Sequence, residues 1–200
     1  GQMVVGDKSP EGDVEIAQIE EMPMPTGDPI VALFDGLPLT NHSLLAGRLH
    51  IDDPDDWAAD YAASERVHGS AMASLIVHGD LNQPQPPLAR PVYVRPIMKP
   101  MNGFTTPRRE GVPENCLAVD LIHRAVKRLF EGDQEEGPVA PQIKVINLSI
   151  GDPTRQFAQA MSPLARLLDW LSVKYGVLFI VSAGNHPESI SLGVSRTEFT

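Results

Sequence analysis

The chain contains one cysteine, Cys116, so no disulfide can form within it. No apolar run is long enough to cross a bilayer, and no transmembrane helix is expected. Positive charge is scarce: 16 lysines and arginines stand against 26 aspartates and glutamates, a formal net charge of −10, and no basic block offsets it. That balance repels phosphate backbones and anionic lipid, so neither nucleic acid nor membrane is an expected partner. No Gly-x-Gly-x-x-Gly and no phosphate-loop Gly-Lys-Ser/Thr occurs, which leaves a nucleotide-binding α/β domain without a motif. No internal repeat is visible. A basic-then-apolar signal segment is also missing at the start, where Gly1-Gln2 reads as a processed end; the cytoplasm is the expected compartment.

What is present is the raw material of a globular core. Hydrophobic residues make up 42% of 200, enough for one sizeable domain or part of a larger one. Residues 1–29, with "EEMPMPTGDP", are acidic and rich in proline and glycine, and read as a loosely ordered lead-in to a domain over 30–200. Four apolar runs have strand character: "PIVALFDG", "VYVRPIM", "IKVINLSIG" and "VLFIVSAGN". Between them lie helical patterns. "HGSAMASLIVHG" suits a buried helix starting near His68. In "ENCLAVDLIHRAVKRLFEG", Leu117, Leu121, Ile122, Ala125, Val126 and Leu129 recur at helical spacing. "SPLARLLDWLSVKYG" has Ser162 to cap it, Pro163 in the first turn and Gly176 as a stop. Strands alternating with helices predict a mainly parallel sheet covered on both faces.

In such sheets chemistry gathers beyond the carboxyl ends of the strands. Three of the predicted strands end there in suggestive residues: Asp35, the turn of Ser149, Ile150 and Gly151, and Asn185. His68, at a helix start, belongs on the same edge. A carboxylate to orient an imidazole, the imidazole as general base and an amide donor for an oxyanion are three of the parts that acyl transfer requires.

These segments, in this order, resemble the subtilisin-like serine proteases (subtilases, peptidase family S8). "VALFDG" resembles that family's aspartate strand, and "HGSAMASLI" its histidine helix. "VINLSIG" resembles its substrate-pairing strand, and "VLFIVSAGN" the strand that ends in its oxyanion asparagine. The resemblance implies a three-layer α/β/α subtilisin-like fold and a serine endopeptidase that works through an acyl-enzyme. It implies that Asp35 is the triad acid, His68 the general base and Asn185 the oxyanion donor. Ser149, Ile150 and Gly151 would pair with substrate, and Ser182, Ala183 and Gly184 would line its first specificity pocket. The partner it implies is a peptide or protein substrate.

The family's Gly-Thr-Ser nucleophile segment does not occur in these 200 residues, nor does Gly-x-Ser-x-Gly. The expectation is therefore the N-terminal part of the peptidase domain, with a sheet incomplete at its C-terminal end, inactive by itself and prone to self-association. The alternative is a non-catalytic subtilase-like module that binds peptides or a partner. No cofactor is expected. Ca²⁺ is conceivable at "DDPDDWAAD", but without a loop motif that run reads as a solvated acidic face. No histidine spacing matches a zinc site. Cys116, on the apolar side of its predicted helix, and Met72, Met98 and Met161 read as packing.

Overall fold

The computed structural model describes residues 22–83, 85–103, 107–133, 136–150 and 161–182. Among them five strands form one parallel sheet in the order β2-β3-β1-β6-β7: β1 Val31–Asp35, β2 Leu49–Ile51, β3 Val92–Pro96, β6 Val145–Leu148 and β7 Leu178–Val181. A short antiparallel pair, β4 Lys99–Pro100 and β5 Glu110–Gly111, follows β3. Three α-helices are described: α1 Val67–His78, α2 Ala118–Phe130 and α3 Pro163–Tyr175.

Side-chain alternation along the strands creates the layers. Ala32 and Phe34 of β1 join Tyr93, Ile146 and Leu148 on one face, under Leu121, Ile122, Ala125, Val126 and Leu129 of α2 and Leu171 of α3. Leu33, Val92 and Val94 point the other way and pack with Ala73 and Val77 of α1. The result is the α/β/α arrangement expected from the sequence. The same alternation puts Asp35, two residues after Leu33, on the α1 face at the carboxyl end of the central strand.

The helices form where their sequences direct. The Ser162 hydroxyl accepts the Ala165 N–H at 3.1 Å, and Pro163 opens α3, where its missing N–H costs nothing. In α2 the buried residues recur every three or four positions and cover one stripe.

Several expectations are corrected. Strand β2, in a turn-rich stretch, gives no strand signal in the sequence. Residues 22–29 are fastened rather than loose: Arg48 donates to the Pro23 carbonyl at 3.0 Å, Arg90 to that of Asp28 at 3.0 Å, and Thr26 N–H to that of Ala89 at 2.9 Å. The acidic run is a solvated face only in part, at Asp56 and Asp60. Asp52 accepts from Arg128 Nε at 2.9 Å and from the Tyr93 hydroxyl, Asp55 accepts from the buried Arg95 at 2.6 Å, and Trp57 is buried. Burial raises the Asp52 carboxyl, but Arg128 and Tyr93 together hold it below its ordinary value. Cys116 lies in the turn before α2, which starts at Ala118, so it does not belong to the helix's apolar side; Leu117, as N-cap, is exposed. Met161 is exposed too, not packed.

One ion pair ties the β4–β5 excursion to the segment before α1. Glu65 is buried, accepts Arg108 Nε at 2.6 Å and Nη2 at 2.8 Å, and caps the Ala62 N–H at 2.9 Å. The Arg108 guanidinium, helped by that N–H, lowers the Glu65 carboxyl from 4.5 to about 2. A lowered folded value means stability that is present above 4.5 and lost as pH falls toward about 2. Glu65→Gln is expected to be less stable than the parent in urea at neutral pH, with the gap closing through this window. A gap that stays constant down to pH 2 would contradict the pairing.

Candidate active site

Parallel strands bring their carboxyl ends to one edge, and the turn after β1 lies there against the first turn of α1. Contact is close because Gly69 has no side chain: a Cβ there would fall 2.7 Å from the Gly36 carbonyl carbon and 3.0 Å from that of Leu37. Ser70, one residue on, accepts the Leu39 N–H at 2.8 Å and bonds the Arg66 carbonyl, which ties the helix start to the same turn. Its hydroxyl is thereby committed to structure.

This docking sets His68 over Asp35. His68 Nδ1 is 2.6 Å from Asp35 Oδ1, and the same oxygen accepts the Gly36 N–H at 2.6 Å. Asp35 is fully buried, whereas the His68 side chain is 47% exposed, so one end of the pair is anchored and the other is open to an incoming group. Among the described residues Asp35 Oδ2 is buried without a hydrogen-bond partner. Burial accordingly pushes the Asp35 carboxyl above its ordinary value, against the His68 bond and the Gly36 N–H, which pull it down. A carboxylate that accepts Nδ1–H fixes the tautomer and leaves Nε2 as the basic nitrogen. The pair can therefore take a proton from a nucleophile on the open side.

The sequence reading did not single out Tyr61 and Glu110, which lie directly behind the pair. The Tyr61 oxygen is 2.7 Å from Glu110 Oε1 and 2.9 Å from the Met98 carbonyl oxygen, and it accepts the Leu37 N–H at 3.3 Å. Neither residue sits in a recognisable motif, and 49 positions separate them, so no local signal announces the contact.

Other predicted residues fall along the same edge. Ser149 and Ile150 directly follow β6; the Ser149 hydroxyl donates to Asn147 Oδ1 at 2.7 Å, and Ile150 packs on the core under α2 and α3. Ser182 follows β7, and its N–H donates to the Leu148 carbonyl at 3.3 Å, which keeps the ends of β6 and β7 side by side. Gly151, Ala183, Gly184 and Asn185 lie outside the described residues. Among the described residues no group of three or more histidine, cysteine, aspartate or glutamate side chains is placed to hold a metal ion, and no helix is long and apolar enough to cross a membrane.

Compared with known proteins, residues 27–196 match the family model described as the subtilase family, peptidase S8. No individual curated protein and no solved structure gives a significant match.

Proposed function

Because the chain belongs to the subtilase family, we propose that its Asp35–His68 pair serves a serine endopeptidase that cleaves peptide bonds through an acyl-enzyme. The observation that carries this reading is the 2.6 Å contact between a buried carboxylate and the Nδ1 of a half-exposed imidazole at the carboxyl edge of a parallel sheet. His68 Nε2 takes the proton of a serine hydroxyl as its oxygen attacks the peptide carbonyl. Asp35 stabilises the imidazolium that results. The imidazolium then gives its proton to the leaving amine, and water repeats the sequence to release the acyl group.

Asn185 fills the oxyanion role in this reading, and Ser149, Ile150 and Gly151 pair with the substrate backbone, with Ser182, Ala183 and Gly184 beside the first side-chain pocket. The serine itself is assigned to no described residue. Ser70 is held by Leu39 and Arg66, and Ser149 by Asn147.

The test is proteolysis by the gene product isolated from its source cells. Incubation with an unfolded protein substrate is expected to generate new amino termini, counted by terminal labelling. Asn185→Ala is expected to lower kcat by about 10²–10³ with KM little changed, the size of effect for one lost oxyanion donor. No new termini, or an unaltered kcat in Asn185→Ala, would remove the corresponding part of the proposal.

A further inference from the structure

Behind the Asp35–His68 pair stands a second, half-buried acid for which the proposed mechanism has no step. Glu110 comes from β5, on the excursion between β3 and α2, yet its carboxyl reaches the turn after β1. Room for it exists because residue 36 is glycine: a Cβ there would lie 2.8 Å from Glu110 Cδ and 3.0 Å from the Tyr61 oxygen. Tyr61 links this carboxyl to Leu37 on one side and to Met98, just past β3, on the other. Helix α1 rests on the same turn, since a Cβ on Gly69 would fall 2.7 Å from the Gly36 carbonyl carbon and 3.0 Å from that of Leu37.

We infer that Glu110 is a positioning residue for the Asp35–His68 pair, bracing through Tyr61 the turn after Asp35 on which the histidine helix rests. This rests on the peptidase reading of that pair, and adds to it a residue that acts through His68 without touching the reacting atoms.

Counting protons shows what the carboxyl has to supply. Tyr61 has one hydroxyl proton, and two acceptors stand within reach of its oxygen, Met98 O at 2.9 Å and Glu110 Oε1 at 2.7 Å. An ionised Glu110 leaves one of the two short of a donor. A protonated Glu110 donates to the Tyr61 oxygen, Tyr61 donates to Met98, and every group is satisfied. Burial, together with the Asp35 charge nearby, raises the Glu110 carboxyl above its ordinary value, in line with this count. A neutral acid here also spares Asp35 a second negative neighbour. The role is then one of shape and hydrogen bonding, which glutamine can perform: its NH₂ donates to Tyr61.

The experiment compares Glu110→Ala and Glu110→Gln by three readouts. In Glu110→Ala the Leu37 backbone amide, which donates to Tyr61, is expected to exchange with solvent about 10–100-fold faster, while amides of α2 keep their protection. The proton NMR signal of the His68 Nδ1–H bonded to Asp35 is expected to disappear. In the gene product kcat is expected to fall about 10–100-fold with KM within about twofold, the cost of a small misplacement of a catalytic group. Glu110→Gln is expected to stay within about threefold of the parent on every readout. An intact His68 Nδ1–H signal in Glu110→Ala would overturn the inference, and so would a glutamine variant as damaged as the alanine one. The two NMR readouts need no turnover, so they decide the matter even if no peptidase activity is found, and loss of that activity reading is thereby kept separate. If Glu110→Ala does not fold, Tyr61→Phe removes the same tie with the ring still packed and must show the same loss of the Nδ1–H signal for the inference to stand.

Discussion

Substituting alanine for His68 is expected to lower kcat for peptide hydrolysis by about 10⁴–10⁶-fold, the range that loss of a triad base produces in serine peptidases. The effect is large because the imidazole acts twice, first as base toward the nucleophile and then as acid toward the leaving amine. It should fall on kcat and leave KM nearly unchanged, since the proposed substrate contacts come from the strand ends and not from the ring. Stability is a separate matter. The ring is half exposed, and Asp35 Oδ1 keeps the Gly36 N–H as a donor when the ring is gone. The melting temperature is therefore expected to move by no more than about 5 °C. Steady-state kinetics beside a thermal melt check both halves. Retained turnover would remove His68 from the chemistry, and a collapsed fold would make it a structural residue.

Gly69→Ala is also expected to damage activity, less severely and by a different route. The added methyl carbon would sit 2.7 Å from the Gly36 carbonyl carbon and closer still to its oxygen. Both belong to backbone that cannot step aside, because Gly36 N–H is bonded to Asp35, Leu37 N–H to Tyr61 and Leu39 N–H to Ser70. The start of α1 must lift instead, and it carries His68 away from Asp35. We expect a loss of at least about 100-fold in kcat, as for a catalytic group displaced by an ångström. The overpacking should cost about 1–3 kcal/mol of stability. Urea denaturation and the His68 Nδ1–H signal read the two consequences separately. A Gly69→Ala protein with parent-like stability and an intact signal would show that the helix does not rest on the Gly36 carbonyl.

Much of this arrangement is legible in the sequence, for reasons that differ from residue to residue. Strands β1 and β3 are apolar runs because both their faces are covered, whereas β6 and β7 pack on the α2–α3 side through Ile146, Leu148 and Phe179 while Leu178, Ile180 and Val181 are exposed. Helix α2 shows its buried stripe at helical spacing, and α3 shows its cap, its first-turn proline and its terminal glycine. Asp35 and His68 can be read because each stands at the end of such a run, where the parallel topology collects chemistry.

The residues that escape detection are those whose meaning depends on a distant partner. Glu110 reads as one acid in a loop until the fold brings it to Tyr61 and Gly36. Asp52 and Asp55 read as solvated until Arg128 and Arg95 arrive from α2 and β3. β2 is three residues long, too short for any periodicity, and is a strand only because β3 lies beside it. Cys116 and Leu117 extend the apolar spacing of α2 beyond its real start, since a pattern of period 3.6 does not say where the first hydrogen bond closes.

The central claim is that His68, oriented by Asp35, activates a serine. Its most direct test is treatment of the gene product, isolated from its source cells, with a fluorophosphonate probe, followed by mass-spectrometric mapping of the adduct in the parent and in His68→Ala. The account predicts one covalently labelled serine in the parent and loss of that labelling without the imidazole. No adduct in the parent, or equal labelling in both proteins, would contradict it; a complete absence of adduct would favour a subtilase-like module that binds peptides without cutting them.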